Sequence, residues 1–290
     1  MRSALLRSIC VLAFAIATQT ANADGILLTW SPGDIIGVTE QTFNEAKRVK
    51  VEDILKKNLD VSTWGDTYLL AVGASANKEN KTLLNGLVAQ LTDTTKANLK
   101  DTNRLIIWER IKSGEILFEG KGFQINDDLF TVAGRANWIL RNLSRKNLGY
   151  VKSNSTPKEL TALQQKWTRW IKGESVEEVA NPYATSIKGL EEIRSREALE
   201  ALIISLKPSS EKEKLTKDCL KRLYNTDKLP SDPNSPATMC SPDRYTHGYL
   251  RVITGITDQH DYDWWKKWWD TNANLLKWSP ENGLFVVPKP

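Results

Sequence analysis

The densest group of side chains that could do chemistry lies at residues 258–263, where three aspartates surround His260, one of two histidines in the chain. Oxygen ligands at alternate positions can approach a calcium ion, and an imidazole beside carboxylates can bind a transition metal or act as a general base. The segment lacks the glycine and the distant glutamate of an EF-hand loop, and no second histidine lies near enough in sequence to complete a metal pair. Aspartates are also expected where a helix begins, because they accept hydrogen bonds from its free N–H groups. We therefore interpret the cluster as a helix start and predict no metal site.

Other catalytic patterns are missing from the sequence. It contains no Gly-x-Ser-x-Gly, no His-Glu-x-x-His, no phosphate-binding glycine loop and no Cys-x-x-Cys. Adjacent carboxylates occur at Asp127 and Asp128 and at Glu191 and Glu192, but a glycosidase needs two carboxylates at a set spatial separation. Asp127 and Asp128 stand where a helix should begin, so we expect them to cap it. The sequence thus predicts no catalytic and no cofactor-binding residue.

Tryptophan is the conspicuous aromatic residue, with 11 in the chain. Those near the C-terminus mostly share one helical stripe, which predicts that they pack in the core. Trp264 and Trp265 are adjacent, as are Trp268 and Trp269, and one narrow face cannot bury all four rings completely. An exposed tryptophan can stack on a sugar or anchor a partner protein. We therefore take Trp264 and Trp269 as candidate ligand or partner contacts.

The first 23 residues have the pattern of a secretory signal. Arg2 and Arg7 give a basic start, residues 9–18 form a short apolar run, and small residues follow. The apolar run is about half as long as a membrane span, so we expect cleavage and export to the periplasm or the outside of the cell. The expected cleavage lies between Ala23 and Asp24.

Export changes how the cysteines are interpreted. Cys10 would leave with the signal, so the mature chain would hold Cys219 and Cys240 in a compartment where disulfides form. We expect these two to pair and to tie the proline-rich insert at 226–242 to the preceding helix. Closing such a loop contributes about 3 kcal/mol in the chain-entropy model. The alternative is two unrelated thiols.

The charge of the chain argues against a nucleic-acid partner. The formal net charge is +5, and losing Arg2 and Arg7 with the signal lowers it to +3. Lysines and glutamates alternate in segments such as 209–221, which is typical of a solvated surface and not of a phosphate-binding stripe. No apolar run after residue 23 is long enough to span a bilayer.

From about residue 80 onward, apolar residues recur at helical spacing, which predicts a series of amphipathic helices. Two further helices are expected at 245–254 and 263–278. Residues 42–59 and 67–72 also fit helices. Short strands are expected at 26–30 and 284–287. The predicted apolar stripes are Leu83, Leu84, Leu87, Val88 and Leu91; Leu105, Trp108 and Ile111; Leu129, Val132, Ala133, Ala136, Leu140 and Leu143; Leu160, Leu163, Trp167, Trp170 and Ile171; Ala198, Leu199, Leu202, Ile203 and Leu206; and Leu215, Cys219, Leu220 and Leu223.

Three of these helices have start signals. Thr156 with Glu159 forms a capping box around a proline at the first helical position. Ser195 is expected to cap the following helix, and Ser210 with Glu213 to form a second capping box.

Two parts of the chain resemble a known architecture. Residues 127–173 contain a helix ending in Asn142-Leu143-Ser144, then Gly149-Tyr150, a proline-capped helix and a Trp-x-x-Trp end at Trp167. This segment resembles the HEAT-like helical repeats of exported bacterial proteins, and 249–278, with a second Trp-x-x-Trp at Trp265, is similar. Residues 193–202 also look like the start of a HEAT-type helix. The resemblance implies a curved superhelix used for binding, and it implies no catalytic residues.

The expected fold class is mainly α, either a HEAT-like α-solenoid of stacked antiparallel helix pairs or an irregular helical bundle, with short strands at both ends of the mature chain. Strand signals are thin and do not alternate with helices as a parallel α/β sheet requires. We expect an N-terminal region at 24–79 and a helical-repeat domain at 80–290 with its insert at 226–242.

The leading function hypothesis is an exported, non-enzymatic protein that binds a protein or cell-envelope partner along its helices. A second hypothesis is an enzyme acting on wall glycan or peptide, with exposed tryptophans holding the substrate. A third is an inhibitor or immunity-type protein that neutralises a toxin in the same compartment.

Overall fold

The computed structural model describes Gly33 and residues 35–120, 122–179, 195–232 and 235–288. The expected signal, with Ala23 and Asp24, and the expected strand at 26–30 lie outside these residues. Eleven α-helices make up most of the regular structure in the described ranges, so the fold is mainly α as predicted. They are α1 Glu40–Ala46, α2 Val51–Lys57, α3 Trp64–Ala76, α4 Lys81–Ala89, α5 Trp108–Lys112, α6 Val132–Ser144, α7 Pro157–Ile171, α8 Arg196–Ser205, α9 Ser210–Tyr224, α10 Arg244–Thr254 and α11 Tyr262–Asn272.

Strands are short and form two separate pairs in the described residues. Leu105–Ile106 (β1) pairs in parallel with Phe123–Gln124 (β2), and Lys277–Ser279 (β3) pairs antiparallel with Leu284–Val286 (β4). The predicted strand at 284–287 is therefore present, whereas the β1–β2 pair was not expected. The predicted helix at 105–111 is shortened, because Leu105 belongs to β1 and α5 begins at Trp108.

Helix starts follow the cap chemistry of the sequence at α7 and α8 but not at α9. Thr156 and Glu159 form the predicted capping box of α7, and the Ser195 side chain accepts a hydrogen bond at the start of α8. At α9 the prediction is wrong by one residue, because the Ser209 side chain accepts from the Lys212 N–H and Ser210 is already helical. Extended backbone at Ser209 makes it the cap.

One hydrophobic core runs from Ile35 to Phe285 through the described residues, so residues 35–79 share it with the later helices. Helix α4 packs on α2, α6 and α7, while α8 packs on α5, α10 and α11. All five predicted stripe residues of α8 are buried. A second, smaller cluster consists of Leu220, Ala237 and Cys240 and lies apart from the main core.

Helix α6 carries an arginine into this core. Arg135 is fully buried and donates hydrogen bonds to the Asn58 side chain and main-chain oxygen and to the Leu129 oxygen. Burial lowers the pKa of Arg135 to about 10, so the guanidinium stays charged at neutral pH. The arginine thereby joins α6 to the end of α2.

Candidate functional site

The adjacent carboxylates Asp127 and Asp128 are buried, and each accepts hydrogen bonds from other parts of the fold. Asp127 accepts hydrogen bonds from Asn137 Nδ2 at 2.7 Å, Arg141 Nη1 at 2.6 Å and the Val151 N–H at 2.9 Å. Asn137 in turn accepts from the indole N–H of Trp167 at 2.8 Å. Asp127 therefore connects α6 to the loop before α7, and its oxygens are already engaged by donors of the fold.

Asp128 forms a bidentate pair with Arg110 of α5. Arg110 Nε donates to Asp128 Oδ1 at 2.8 Å and Arg110 Nη2 to Asp128 Oδ2 at 2.6 Å, while Nη1 donates to Glu115 at 2.6 Å. Burial alone would lower the pKa of Arg110, but the hydrogen bonds and charges of Asp128 and Glu115 raise it above its usual value. This short, two-point geometry is the strong form of an ion pair.

The expectation that Asp127 and Asp128 cap α6 is wrong, because Thr131 occupies the cap position and accepts from the Gly134 N–H at 3.0 Å. The sequence could not reveal the arginine partners, because Arg110 is 18 residues from Asp128 and only the tertiary fold brings them together.

The aspartate-rich segment 258–263 forms a helix start as interpreted. Asp261 caps α11 by accepting from the Trp264 N–H at 2.9 Å. His260 stacks on the Trp264 ring with centroids 3.6 Å apart and an interplanar angle of 10°. Among the described residues, no group of three or more His, Cys, Asp or Glu side chains is placed to hold a metal ion.

The two tryptophans named from the sequence occupy different environments. The Trp264 side chain is 39% exposed, whereas Trp269 is 9% exposed and packs in the main core. Trp264 is therefore partly exposed to solvent, with His260 stacked on its ring. Trp269 offers no such surface, so only Trp264 remains as a candidate contact.

Both Trp-x-x-Trp segments build the same local pair. Trp167 and Trp170 meet edge to face with centroids 5.6 Å apart at 89°, and Trp265 and Trp268 meet at 5.4 Å and 81°. In each pair the first ring is buried and the second is partly exposed. The similarity noticed in the sequence therefore corresponds to a similar packing unit at the end of α7 and in α11.

Cys219 of α9 and Cys240 form a disulfide-bonded pair with their Cα atoms 5.6 Å apart. Cys240 ends a 3₁₀ helix, Pro236–Cys240, which packs on α9 in the second hydrophobic cluster. The Tyr224 hydroxyl donates to the Pro236 oxygen at 3.0 Å. The proline-rich insert is thus tied back to α9 at both of these points.

Helix α9 does not bury the apolar stripe that the sequence predicted. Leu220 is fully buried, but Leu215 is 44% exposed and Leu223 lies largely in solvent. Five residues along an α-helix turn the chain by about 500°, which leaves Leu215 about 140° away from Leu220. The sequence spacing alone therefore indicates that Leu215 and Leu220 lie on different faces of α9.

The exposed side of α9 continues into a wider apolar surface. Leu215, Met239 and Tyr245 line a hollow of about 420 Å³ beside the disulfide, and Met239 is 52% exposed. On its other side, Met239 lines a second hollow of about 650 Å³ with Leu229. We call Leu215, Leu229, Met239 and Tyr245 together the Met239 surface.

Charged groups surround and anchor the Met239 surface. Glu119, Asp218 and Arg222 also line the hollow beside the disulfide. Lys212, also on α9 and largely buried, donates to the Ser205 oxygen and to Asp243 Oδ1, the latter at 2.5 Å. These contacts join α9 to α8 and to the start of α10.

Comparisons with protein-family models, with curated proteins and with solved structures find no match to this chain. In the described part of the chain, no helix combines the length and apolar character needed to cross a membrane.

Proposed function

We propose that this chain is an exported, non-enzymatic helical protein that binds a protein partner through the Met239 surface. The observation that carries the proposal is a group of large apolar side chains exposed around two adjacent hollows. Monomeric proteins rarely leave such residues clustered in solvent without a binding role.

The residue types support a protein partner. Tyrosine and methionine are enriched in protein interfaces, and a methionine side chain adapts its shape to a partner because it is unbranched and polarizable. Met239 lines both hollows, and charged residues line each of them, with Glu119, Asp218 and Arg222 in one and Arg244 in the other. Apolar side chains with polar and charged neighbours are typical of protein interfaces.

The architecture that we propose for this function is a HEAT-like stack of helix pairs. It is supported by the two Trp-x-x-Trp units, which recur with nearly the same ring distance and angle. Trp264, backed by His260, is a second proposed contact for a partner or a cell-envelope component.

Export agrees with the disulfide, since such bonds persist in oxidising compartments. The proposed location is therefore the periplasm or the outside of the cell, after removal of residues 1–23.

The proposal is tested by affinity capture from envelope extract with four purified proteins. Met239→Lys and Leu215→Glu each place a charge in the apolar surface, while Leu275→Glu changes a leucine that is 54% exposed and lines neither hollow. We expect a partner that wild type and Leu275→Glu retain and the two surface variants lose, with equal thermal denaturation midpoints. A partner retained equally by all four proteins, or none at all, contradicts the proposal.

A further inference from the structure

A separate cavity lies in the N-terminal part of the described chain, between α1, α2 and α3. Its volume is about 370 Å³, which falls within the range of ligand-binding cavities. The inner lining is apolar and largely buried. The apolar lining residues are Ala46, Val49, Ile54, Val61, Leu69 and Leu70.

Close helix packing fixes the walls of this cavity. A Cβ atom at Gly73 of α3 would lie 2.9 Å from the Ala46 oxygen of α1, so the glycine lets the two helices approach closely. Ile54 of α2 is also in contact range of the same glycine and is fully buried. The cavity therefore lies among helices that are packed on one another.

The rim of the cavity is acidic. Glu45, Asp60 and Asp66 line it together with a single cation, Lys57, and all four side chains are exposed. The rim thus carries a formal charge of −2 at neutral pH from these groups. Lys57 and Asp60 form no ion pair within the described residues.

The three carboxylates stand on different elements around the apolar lining. Glu45 belongs to α1, Asp60 follows α2, and Asp66 lies in the first turn of α3, where one of its oxygens accepts from Thr63. A ligand with an apolar group between two cations matches this arrangement better than a single amine or any anion. Lysine and arginine side chains on a peptide have this chemistry, because their aliphatic stems pack on apolar surface while their charged ends stay at the rim.

We propose that the cavity between α1, α2 and α3 binds a basic peptide segment in which lysine or arginine flanks an apolar side chain. Complementary charge is the basis of the choice, since the rim attracts cations and repels carboxylates. The chain's own residues 24–32 do not have this chemistry, because they contain no lysine or arginine.

The test is calorimetric titration of the purified protein with the capped peptide Lys-Leu-Leu-Lys and with its matched Glu-Leu-Leu-Glu. We expect binding of the first peptide only, and weaker binding as salt is raised. Glu45→Gln combined with Asp60→Asn should weaken the affinity at least about tenfold, which corresponds to about 1.4 kcal/mol. The matched control, Glu52→Gln with Asp53→Asn, removes two exposed carboxylates of α2 that do not line the cavity and should leave the affinity unchanged.

Lys57→Met provides an outcome that a folding defect cannot imitate. It removes the one cation of the rim, so the basic peptide should bind more tightly than it does to wild type. Absence of binding, equal binding of both peptides, or equal losses in the test and control pairs would overturn the proposal.

A second copy of the chain as occupant would be recognised from the molecular mass of the same variants in solution. A dimer that Glu45→Gln with Asp60→Asn dissociates would assign the cavity to a second copy, and this result overturns the basic-peptide proposal. It does not bear on the Met239 surface, which shares no residue with this cavity.

Discussion

The main-chain oxygen of Asp128 occupies the space that a Cβ atom on Gly134 would need. Gly134 lies in the first turn of α6, and the Asp128 oxygen beside it accepts hydrogen bonds from Thr131. Alanine normally stabilises a helix interior by about 1 kcal/mol relative to glycine. At this position the overlap is with backbone, which cannot rotate away, so the usual preference should be reversed.

We therefore expect Gly134→Ala to destabilise the protein by about 1–3 kcal/mol. Gly248→Ala is the matched control, because Gly248 lies inside α10 and nothing is within 4 Å of its added Cβ. That variant should gain about 0.5–1 kcal/mol. Urea denaturation measures both changes, and a stabilised Gly134→Ala would contradict the close approach.

The Arg110 ion pairs should differ in strength according to their burial. Asp128→Asn removes a charge from a fully buried pair and should lower the free energy of unfolding by about 3–5 kcal/mol, because it leaves the Arg110 charge without its main partner. Glu115→Gln removes the partner whose side chain is 42% exposed and should cost about 0–1 kcal/mol. If the two substitutions lower the free energy of unfolding equally in urea denaturation, burial does not determine how much each ion pair contributes to stability.

The two candidate tryptophans should respond differently to truncation. Trp269→Ala should lower the free energy of unfolding by about 3–5 kcal/mol, since its ring is in the core. Trp264→Ala removes a half-exposed ring stacked on His260 and should leave the protein folded. If both variants unfold, Trp264 can no longer be separated from the core, and its proposed role as a contact loses its basis.

The disulfide should be detectable in unreduced protein. Peptides containing Cys219 and Cys240 should remain linked after digestion and separate after reduction, which mass spectrometry resolves. Because the bond closes a loop with a sequence separation of 21, Cys219→Ser with Cys240→Ser should lose about 3 kcal/mol in the chain-entropy model. Two free thiols in the unreduced protein would contradict the pairing.

Stability should decrease on mild acidification because of His247. Burial, reinforced by Lys212 and opposed by the Asp243 charge, lowers the pKa of His247 below 6.5. As the pH falls through 6.5 the unfolded chain binds a proton that the folded protein does not, so the free energy of unfolding falls. His247→Gln should reduce the decrease in denaturation midpoint between pH 7 and 5.5. An unchanged decrease would show that another group is responsible.

Local signals in the sequence predicted several helices, but the helix expected at 42–59 is divided into α1 and α2, and the one expected at 263–278 ends at Asn272. The capping box at Thr156 and the cap at Ser195 depend on neighbours three residues away, so both were visible in the sequence and are present in the structure. The α9 start was displaced by one residue because two serines stand side by side and only backbone conformation distinguishes them.

Long-range relationships were not predictable from one sequence. Arg135 contacts Asn58 across 77 residues, and no local pattern marks either residue as buried. The Met239 surface was missed for the same reason, since Leu215, Met239 and Tyr245 come from three segments. The cavity between α1, α2 and α3 lies in the part of the chain whose apolar periodicity was least regular.

The separation of the Leu220 cluster from the main core has a consequence for motion. Helix α9 and its disulfide-linked insert rest on their own few apolar contacts and on Lys212, while the other helices share one continuous interior. We therefore expect amide hydrogens of α9 to exchange with solvent through a partial opening that leaves the remaining helices closed. A partner protein bound to the Met239 surface would stabilise the closed state of α9 and its insert, and would slow hydrogen exchange in this part of the chain more than elsewhere.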